Sequence, residues 1–474
     1  MKILVAIANY GTANDQHLAV LLDQYRAMPH QVDVVVLSNI PKNLGSDIRV
    51  QVGLPTTDPW SLPFGHKRLF AEQAENYDLF IYSEDDVLIT ERNIEAFLRV
   101  TQVLKDGEIA GFFRYETDRQ GSRHFCDAST HWHWDPESVR SRGECTFAFF
   151  TNEHAACYVL TRQQLRSAIV SGGFLVEPHR EKYALAETAA TDPYTQCGFK
   201  KLICISHLDD FLIHHLPNKY VGSLSLEETD FRRQVNALLE VQNGARPRVG
   251  LLGPDAGLVA SKWAKSYYEP VRHDLLALVP DHTRSVLSIG CGWGATEGVL
   301  IKKGIRVVGV PLDSVIAACA EARGVETVCG DFVAVQSQLR GREFDCILVS
   351  NLLHLMAVPV ETLSSLARFL SKQGVLVASV PNFAQLPVLW ERFRHLREFT
   401  NHGTNEKMGV HLTTHRIVRQ WMQRCGLNIE NVVNVVPQRA QFADRFSLGF
   451  GQRLLASQII AVAGNPRTTA DRTT

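Results

Sequence analysis

Apolar residues in the first half of the chain fall into short, nearly continuous runs separated by amphipathic stretches. Lys2–Ala8, Val32–Leu37 and Leu79–Tyr82 are runs of strand length, and Asp15–Met28, Pro63–Glu75 and Ile94–Leu104 repeat apolar residues at helical spacing. Buried strands alternating with such helices predict βαβ units and a mostly parallel sheet. Arg114–Glu144 breaks the rhythm: it is polar and aromatic and reads as a long irregular stretch, the kind that more often serves function than fills space. Phe147–Phe150 and Ala155–Leu160 read as later strands.

Periodicity weakens between Gly222 and Gly257, where Asn243-Gly-Ala-Arg-Pro247 and Leu252-Gly-Pro254 are breakers and a helix is predicted over Phe231–Val241. A second alternating series follows. Its predicted strands are Val286–Ile289, Val307–Val310, Ile347–Val349 and Val375–Val380, with helices over Ala295–Lys303, Ser314–Ala322 and Val360–Phe369. The expected organisation is a domain over 1–225, a linker over 226–262, a second domain over 263–464 and a disordered tail over 465–474. Both domains are expected to be α/β.

At 474 residues, two or three domains are the natural expectation. A formal net charge of −1 gives no reason to expect nucleic acid or an anionic membrane as partner. No apolar run is long enough to span a bilayer, so membrane contact would be peripheral. Met1–Ala8 runs directly into Asn9-Tyr-Gly11 and reads as a first strand, not a leader. The ten cysteines include no CxxC pair, and several, such as Cys346, sit in apolar runs. They read as reduced, buried thiols of a cytoplasmic protein, neither a disulfide framework nor a zinc site.

Chemistry enters at Ser288-Ile-Gly-Cys-Gly-Trp-Gly294, where a strand breaks into alternating glycines before a helix. Such a turn lets a nucleotide approach the backbone, and the helix N-terminus adds unpaired N–H groups. Further along lie Val308-Gly-Val-Pro-Leu-Asp313, Gly330-Asp331-Phe332, Phe344-Asp345 to Asn351-Leu-Leu-His354, Gly374–Val377 with Val380-Pro-Asn382, and His411-Leu-Thr-Thr414 with Trp421 and Gly426. This ordered set, with Tyr267-Tyr-Glu-Pro270 and Leu275–Leu278 as a lead-in helix, resembles the class I S-adenosylmethionine-dependent methyltransferases. The resemblance implies a Rossmann-like fold and a cofactor site built from Ser288, Gly290, Gly292, Gly294, Asp313, Asp331, Phe332 and Asn351. His354 and His411 are its candidate bases. Two positions depart from the family: Ser288 and Pro311 stand where acids usually hold the cofactor. Glu297 and Asp313 lie near enough in sequence to substitute.

In the first half, Tyr77–Thr90 places Glu84, Asp85 and Asp86 at the end of a buried strand. Adjacent buried carboxylates repel, and a divalent cation such as Mg²⁺ or Mn²⁺ shared with phosphate oxygens resolves the conflict. The arrangement resembles the acidic motif of GT-A glycosyltransferases, which use nucleotide-diphospho-sugars. Glu84 then takes the first acid position and Asp86 the metal-holding one. Tyr10 is placed to stack on a base, Glu187 and Asp192 to activate an acceptor, and one of His214 and His215, with His214 preferred, to complete the metal site. His131-Trp-His-Trp134 reads either as a sugar-stacking surface or as an aromatic packing patch.

Together the two resemblances imply a bifunctional enzyme: glycosyl transfer by the first domain and methylation, expected on a hydroxyl of a glycan or glycolipid acceptor, by the second. Two narrower readings stand beside it. Either the methyltransferase works alone beside a non-catalytic glycan- or nucleotide-binding module, or the glycosyltransferase works beside a scaffold.

Overall fold

Strand β1 (Lys2–Asn9) is buried along nearly its whole length because it pairs in parallel on both sides. Its neighbours in the computed structural model are β2 (Gln31–Ser38), followed by β3 (Ile48–Val52), and on the other side β4 (Leu79–Glu84). The structure describes residues 1–223, 225–252, 263–394, 409–437 and 451–465. It divides into two compact units, Met1–Arg246 and Pro247–Thr474.

In the first unit the chain continues through β5 (Val87–Leu88), β6 (Glu108–Ala110), β7 (Phe113–Thr117), β8 (Arg123–Phe125), β9 (Trp134–Arg142), β10 (Cys145–Phe150) and β11 (Cys157–Thr161), then β12 (Lys200–Cys204), β13 (Leu212–His215) and β14 (Leu226–Glu227). β11 closes the first sheet antiparallel to β4. The remaining strands form two further sheets, ordered β6-β12-β10-β9 and β14-β8-β7-β13-β5. In these, β12–β6 and β13–β7 are parallel and the other pairs antiparallel. The expected mostly parallel sheet therefore describes only the first of three.

Arg114–Glu144 is not irregular: it contains most of β7 together with β8 and β9. Its core-facing residues Phe125 and Trp134 pack with Phe113, just before the stretch, and with Phe150 and Phe231. The polar residues that hide the pattern satisfy one another, as where Arg140 and Arg142 bind Glu108. The helix Glu228–Gln242 lies in the expected linker but belongs to the first unit, because Phe231 stacks on Phe125 with ring centroids 3.8 Å apart. The predicted helix over Pro63–Glu75 begins earlier, as a 3-10 turn Pro59–Phe64 that Asp58 caps at the Trp60 N–H, and continues as Gly65–Glu72.

The second unit is one seven-stranded sheet. Its strands are β15 (Ser285–Cys291), β16 (Arg306–Pro311), β17 (Glu326–Thr327), β18 (Phe344–Ser350), β19 (Leu370–Pro381), β20 (Asn428–Val435) and β21 (Gln458–Gly464), in the order β17-β16-β15-β18-β19-β21-β20. The first five run parallel, β21 is antiparallel to β19, and β20, antiparallel to β21, again runs with the first five, a Rossmann-like arrangement with its switch point between β15 and β18. Tyr267–Pro270 forms no lead-in helix; it is a turn ending at a proline, and only His273–Leu276 is helical. The expected tail lies outside the described residues from 466 onward.

Candidate active sites

In the first unit, β4 delivers the acidic triplet to the C-terminal edge of the sheet, and the three carboxylates separate in role. Asp85 accepts from Asn9 Nδ2 and Asn14 Nδ2, both at 2.7 Å, and so ties the end of β1 to the end of β4. Burial pushes its pKa up to about 6. Glu84 faces a cavity of about 570 Å³ also lined by Glu187, Arg114, His215, Trp132 and Tyr183. Burial, with repulsion from Asp86, Asp85 and Glu187, pushes Glu84 up to about 8 despite Arg114. Asp86 is buried, 3.5 Å from His215 Nε2, and its Oδ1 has no hydrogen-bond partner. Burial disfavours its charge, but His215 holds its pKa below the usual carboxylate value.

His215 is oriented from behind. Its Nδ1 donates to Glu116 Oε1 at 2.6 Å, which turns Nε2 toward Asp86. Burial lowers its pKa, yet Asp86 and Glu116 outweigh that and raise it. A carboxylate behind a histidine is the arrangement that orients imidazole toward a metal. The preference for His214 is corrected here. Neighbours on a strand point to opposite faces, and His214 stacks on Tyr115 with Nε2 at 3.2 Å from Asn218 Oδ1.

Other expected residues divide in the same way. Glu187 lies in the first turn of the helix Leu185–Thr195, accepts from the Ala184 N–H at 3.2 Å and reaches the cavity wall. Asp192, on the same helix, does not line it. It is 0% exposed and ion-paired with Lys67, so it is unsuited to take a proton from an acceptor. Tyr10 is 51% exposed and does not line the cavity. The tryptophan cluster splits: Trp132 lines the cavity and stacks on Tyr183, whereas Trp134 is core.

Arg114, Arg180, Lys219 and Tyr220 also line the cavity and were not singled out from the sequence. Arg114 binds Asp127 through Nε at 2.9 Å and Nη2 at 2.6 Å. Each of these residues is ordinary on its own, and only the fold brings them together.

In the second unit the glycine turn follows β15 as expected, but its cleft is filled. Ser288 Oγ donates to Glu297 Oε1 at 2.6 Å. Burial raises the pKa of Glu297. Segment 265–272 covers the turn. Tyr267 O accepts from the Trp293 N–H at 2.9 Å, Glu269 O accepts from Trp293 Nε1 at 2.7 Å, and the Arg272 N–H donates to Thr296 Oγ1 at 3.0 Å. A Cβ at Gly292 would stand 2.1 Å from Tyr267 O, so this glycine is required by the covering backbone itself. Gly294, at φ +84°, caps the helix Ala295–Lys302 in the left-handed conformation that favours glycine.

Inside the cleft Glu269 is bound by Lys265 at 2.5 Å and by Arg272 at 3.0 Å, and it accepts from Ser350 Oγ at 2.9 Å. Burial opposes its charge, but the two cations bring its pKa down to about 2. Asn351, with Nδ2 3.4 Å from Glu269, has φ +46°, a strained backbone at the end of β18. A second covering piece runs beside β16: the Leu251 N–H donates to Leu312 O at 2.8 Å and the Ser314 N–H to Val249 O at 3.1 Å. Asp313 Oδ1 accepts from the N–H groups of Val315 and Ile316, and Asp331 caps the helix Phe332–Gln338 through the Ala334 N–H. Phe332 is the first residue of that helix.

The two histidines are packed. Burial lowers His354 to about 4, and its Nε2 donates to Trp263 O at 2.8 Å. His411 Nε2 donates to Met356 O at 3.0 Å, and its ring meets Trp421 edge-on.

The cleft at the glycine turn encloses about 20 Å³. Ligand sites span roughly 300–1,000 Å³, so Lys265 and Glu269 occupy most of the space at the glycine turn itself.

Residues 287–378 match the family described as methyltransferase domain. Among solved structures, similar chains include an S-adenosylmethionine-dependent methyltransferase from Archaeoglobus fulgidus (15% identity, 40% of this chain and 90% of that one, TM-score 0.31). Another, from Mesorhizobium loti, shows 18% identity over 40% of this chain and 95% of its own, with TM-score 0.29. A Haloferax volcanii methyltransferase, in complex with the Trm112 methyltransferase activator, shows 16% identity, with 41% and 88% covered and TM-score 0.31. No curated protein matches the chain. The family match supports an S-adenosylmethionine-dependent methyltransferase domain in the second unit. No helix among the described residues is long and apolar enough to cross a membrane.

Proposed function

We propose that the chain is a two-unit transferase: a metal-assisted glycosyltransferase in Met1–Arg246 and an S-adenosylmethionine-dependent methyltransferase in Pro247–Thr474 whose cleft is held shut by its own covering segment. The observation that carries the first half is the buried, unpartnered Oδ1 of Asp86 beside His215 Nε2. Asp86 and His215 would hold a divalent cation that Glu84 shifts from the cavity wall to join, and the cation would supply charge neutralisation for a diphosphate. Arg180 and Lys219 add positive charge at the cavity wall, Trp132 and Tyr183 offer stacked faces to a sugar, and Glu187 is positioned to take a proton from an acceptor hydroxyl. A glycan or glycolipid is the acceptor class this pairing of units favours.

Nucleotide-sugar hydrolysis with Mn²⁺ tests this half. Turnover that persists unchanged in Asp86→Ala removes the metal assignment.

For the second half, the family match and the Ser288–Glu297 pair favour cofactor binding once Lys265 and Glu269 leave the cleft. The filled cleft also favours a narrower reading, in which only the first unit works and the second is a scaffold. Calorimetry with S-adenosylhomocysteine separates the two. Absence of binding both to the intact chain and to a Lys265→Ala variant selects the scaffold.

A further inference from the structure

We infer that Cys145, Cys204 and His207 form a binding site for a soft divalent cation of the zinc type, outside the cavity of the first unit. Cys204 and His207 are three residues apart, and the pairing of β10 with β12 brings the distant Cys145 to them. Their ligand atoms all lie within 4.8 Å of one another. Both thiols face one nitrogen: His207 Nδ1 is 4.0 Å from Cys145 Sγ and 3.9 Å from Cys204 Sγ. With Zn–S near 2.3 Å and Zn–N near 2.0–2.1 Å, a tetrahedral site has S···N edges of about 3.6 Å. The observed separations need to shorten by a few tenths of an ångström.

Ser206 Oγ accepts from the Thr146 N–H at 3.0 Å and lies 3.1 Å from His207 Nδ1. In the tautomer that carries the ring proton on Nε2, the Nδ1 lone pair ligates a cation once the Ser206 hydroxyl turns away.

Register argues against a disulfide between the same thiols. Phe147 pairs with Cys204 and Ala148 with Ile203, so the antiparallel register places Cys145 opposite Ser206, diagonal to Cys204. Diagonal residues in a sheet sit about 7–8 Å apart at Cα, beyond the usual reach of a disulfide. A cation between the sulfurs bridges that gap. Cys204 is buried and His207 exposed, so the fourth position opens toward solvent for a water. Binding releases the two thiol protons to solvent, since only the thiolates ligate.

None of the three lines the 570 Å³ cavity, so the site stands whether or not the proposed glycosyl transfer does. A bound cation would fasten β10 to the turn after β12.

Cobalt reports on the site directly. Reduced, chelator-treated full-length protein is titrated anaerobically with Co²⁺ and then with Zn²⁺. The expected result is one equivalent of tetrahedral cobalt with thiolate-to-cobalt charge-transfer absorption, displaced by zinc. Cys145→Ser and His207→Ala, neither of which removes a fully buried side chain, should each weaken binding by more than about 100-fold while keeping the far-ultraviolet dichroism of the parent. Cys126→Ser, beside the cavity, should leave the bands in place. No charge-transfer band in the parent protein, an undiminished band in both ligand variants, or a reduced-thiol count two short of ten without reductant would each overturn the site.

Discussion

His215 Nε2 stands 3.5 Å from Asp86 Oδ2 while its Nδ1 donates to Glu116, so one imidazole joins the acidic triplet of β4 to the parallel pair β7–β13. The ring is held in place by Glu116 and faces an acid with a free oxygen. His215→Ala should therefore lower Mn²⁺-dependent nucleotide-sugar turnover by about 100-fold or more, the cost of losing a metal ligand or its orientation. His214→Ala, on the opposite face of β13, should stay within about threefold. Steady-state rates at saturating Mn²⁺ measure both, and equal losses would refute the assignment.

A cation at Glu84 and His215 competes with protons. Glu84 is pushed up to about 8, and His215 is raised above its ordinary value. The apparent affinity for Mn²⁺ should thus climb as pH rises toward about 8 and level off above it. Titration calorimetry between pH 6 and 9 reads this, and a flat profile would argue against both ligands.

The same shift predicts a stability effect without metal. The folded-state pKa of Glu84 lies above its unfolded value, so its contribution is fully present at low pH and is lost as pH rises through about 8. Glu84→Gln should melt close to the parent at pH 4.5. Near pH 7 it should be more stable, by up to about 3 kcal/mol at 1.36 kcal/mol per pKa unit. Thermal melts across pH test the sign.

Asp192 and Lys67 form a buried pair away from the cavity wall. Removing one partner strands a charge, so Asp192→Ala should cost about 3–5 kcal/mol. Glycosyl transfer per folded molecule should stay nearly constant. A collapse of turnover without loss of stability would restore Asp192 to the chemistry.

In the second unit, Lys265→Ala should open the cleft without removing Glu269, Ser288 or Glu297. Binding of S-adenosylhomocysteine should tighten by roughly tenfold or more if closure costs at least about 1.4 kcal/mol. Calorimetry on the intact chain and on the variant provides the comparison.

The sequence made the strands with mostly apolar runs legible, because β1, β4, β15 and β18 are buried on both faces and carry few polar residues inside them. Glu297, one helix turn into the segment after the glycines, meets Ser288 through a hydrogen bond. The strands β7 to β9 were hidden, because arginines and glutamate on β6 and β9 satisfy one another across the sheet and erase the alternation. Strand parity decided between His214 and His215, and that requires knowing where β13 begins. Lys265 and Glu269 escaped notice for a related reason: nothing in a turn before a proline signals that its side chains will lie in a cleft built by residues further along. In the cysteine–histidine cluster Cys204 and His207 are neighbours along the chain, but only sheet register adds Cys145 to them.

The Trp293 amide, bonded to the carbonyl of Tyr267, is a timer for the cover. Its deuterium uptake proceeds only when that bond parts, so the lifetime of the shut cleft can be clocked on the resting protein with no substrate added. An acceleration of that single amide by any added compound would identify what unlocks the second unit.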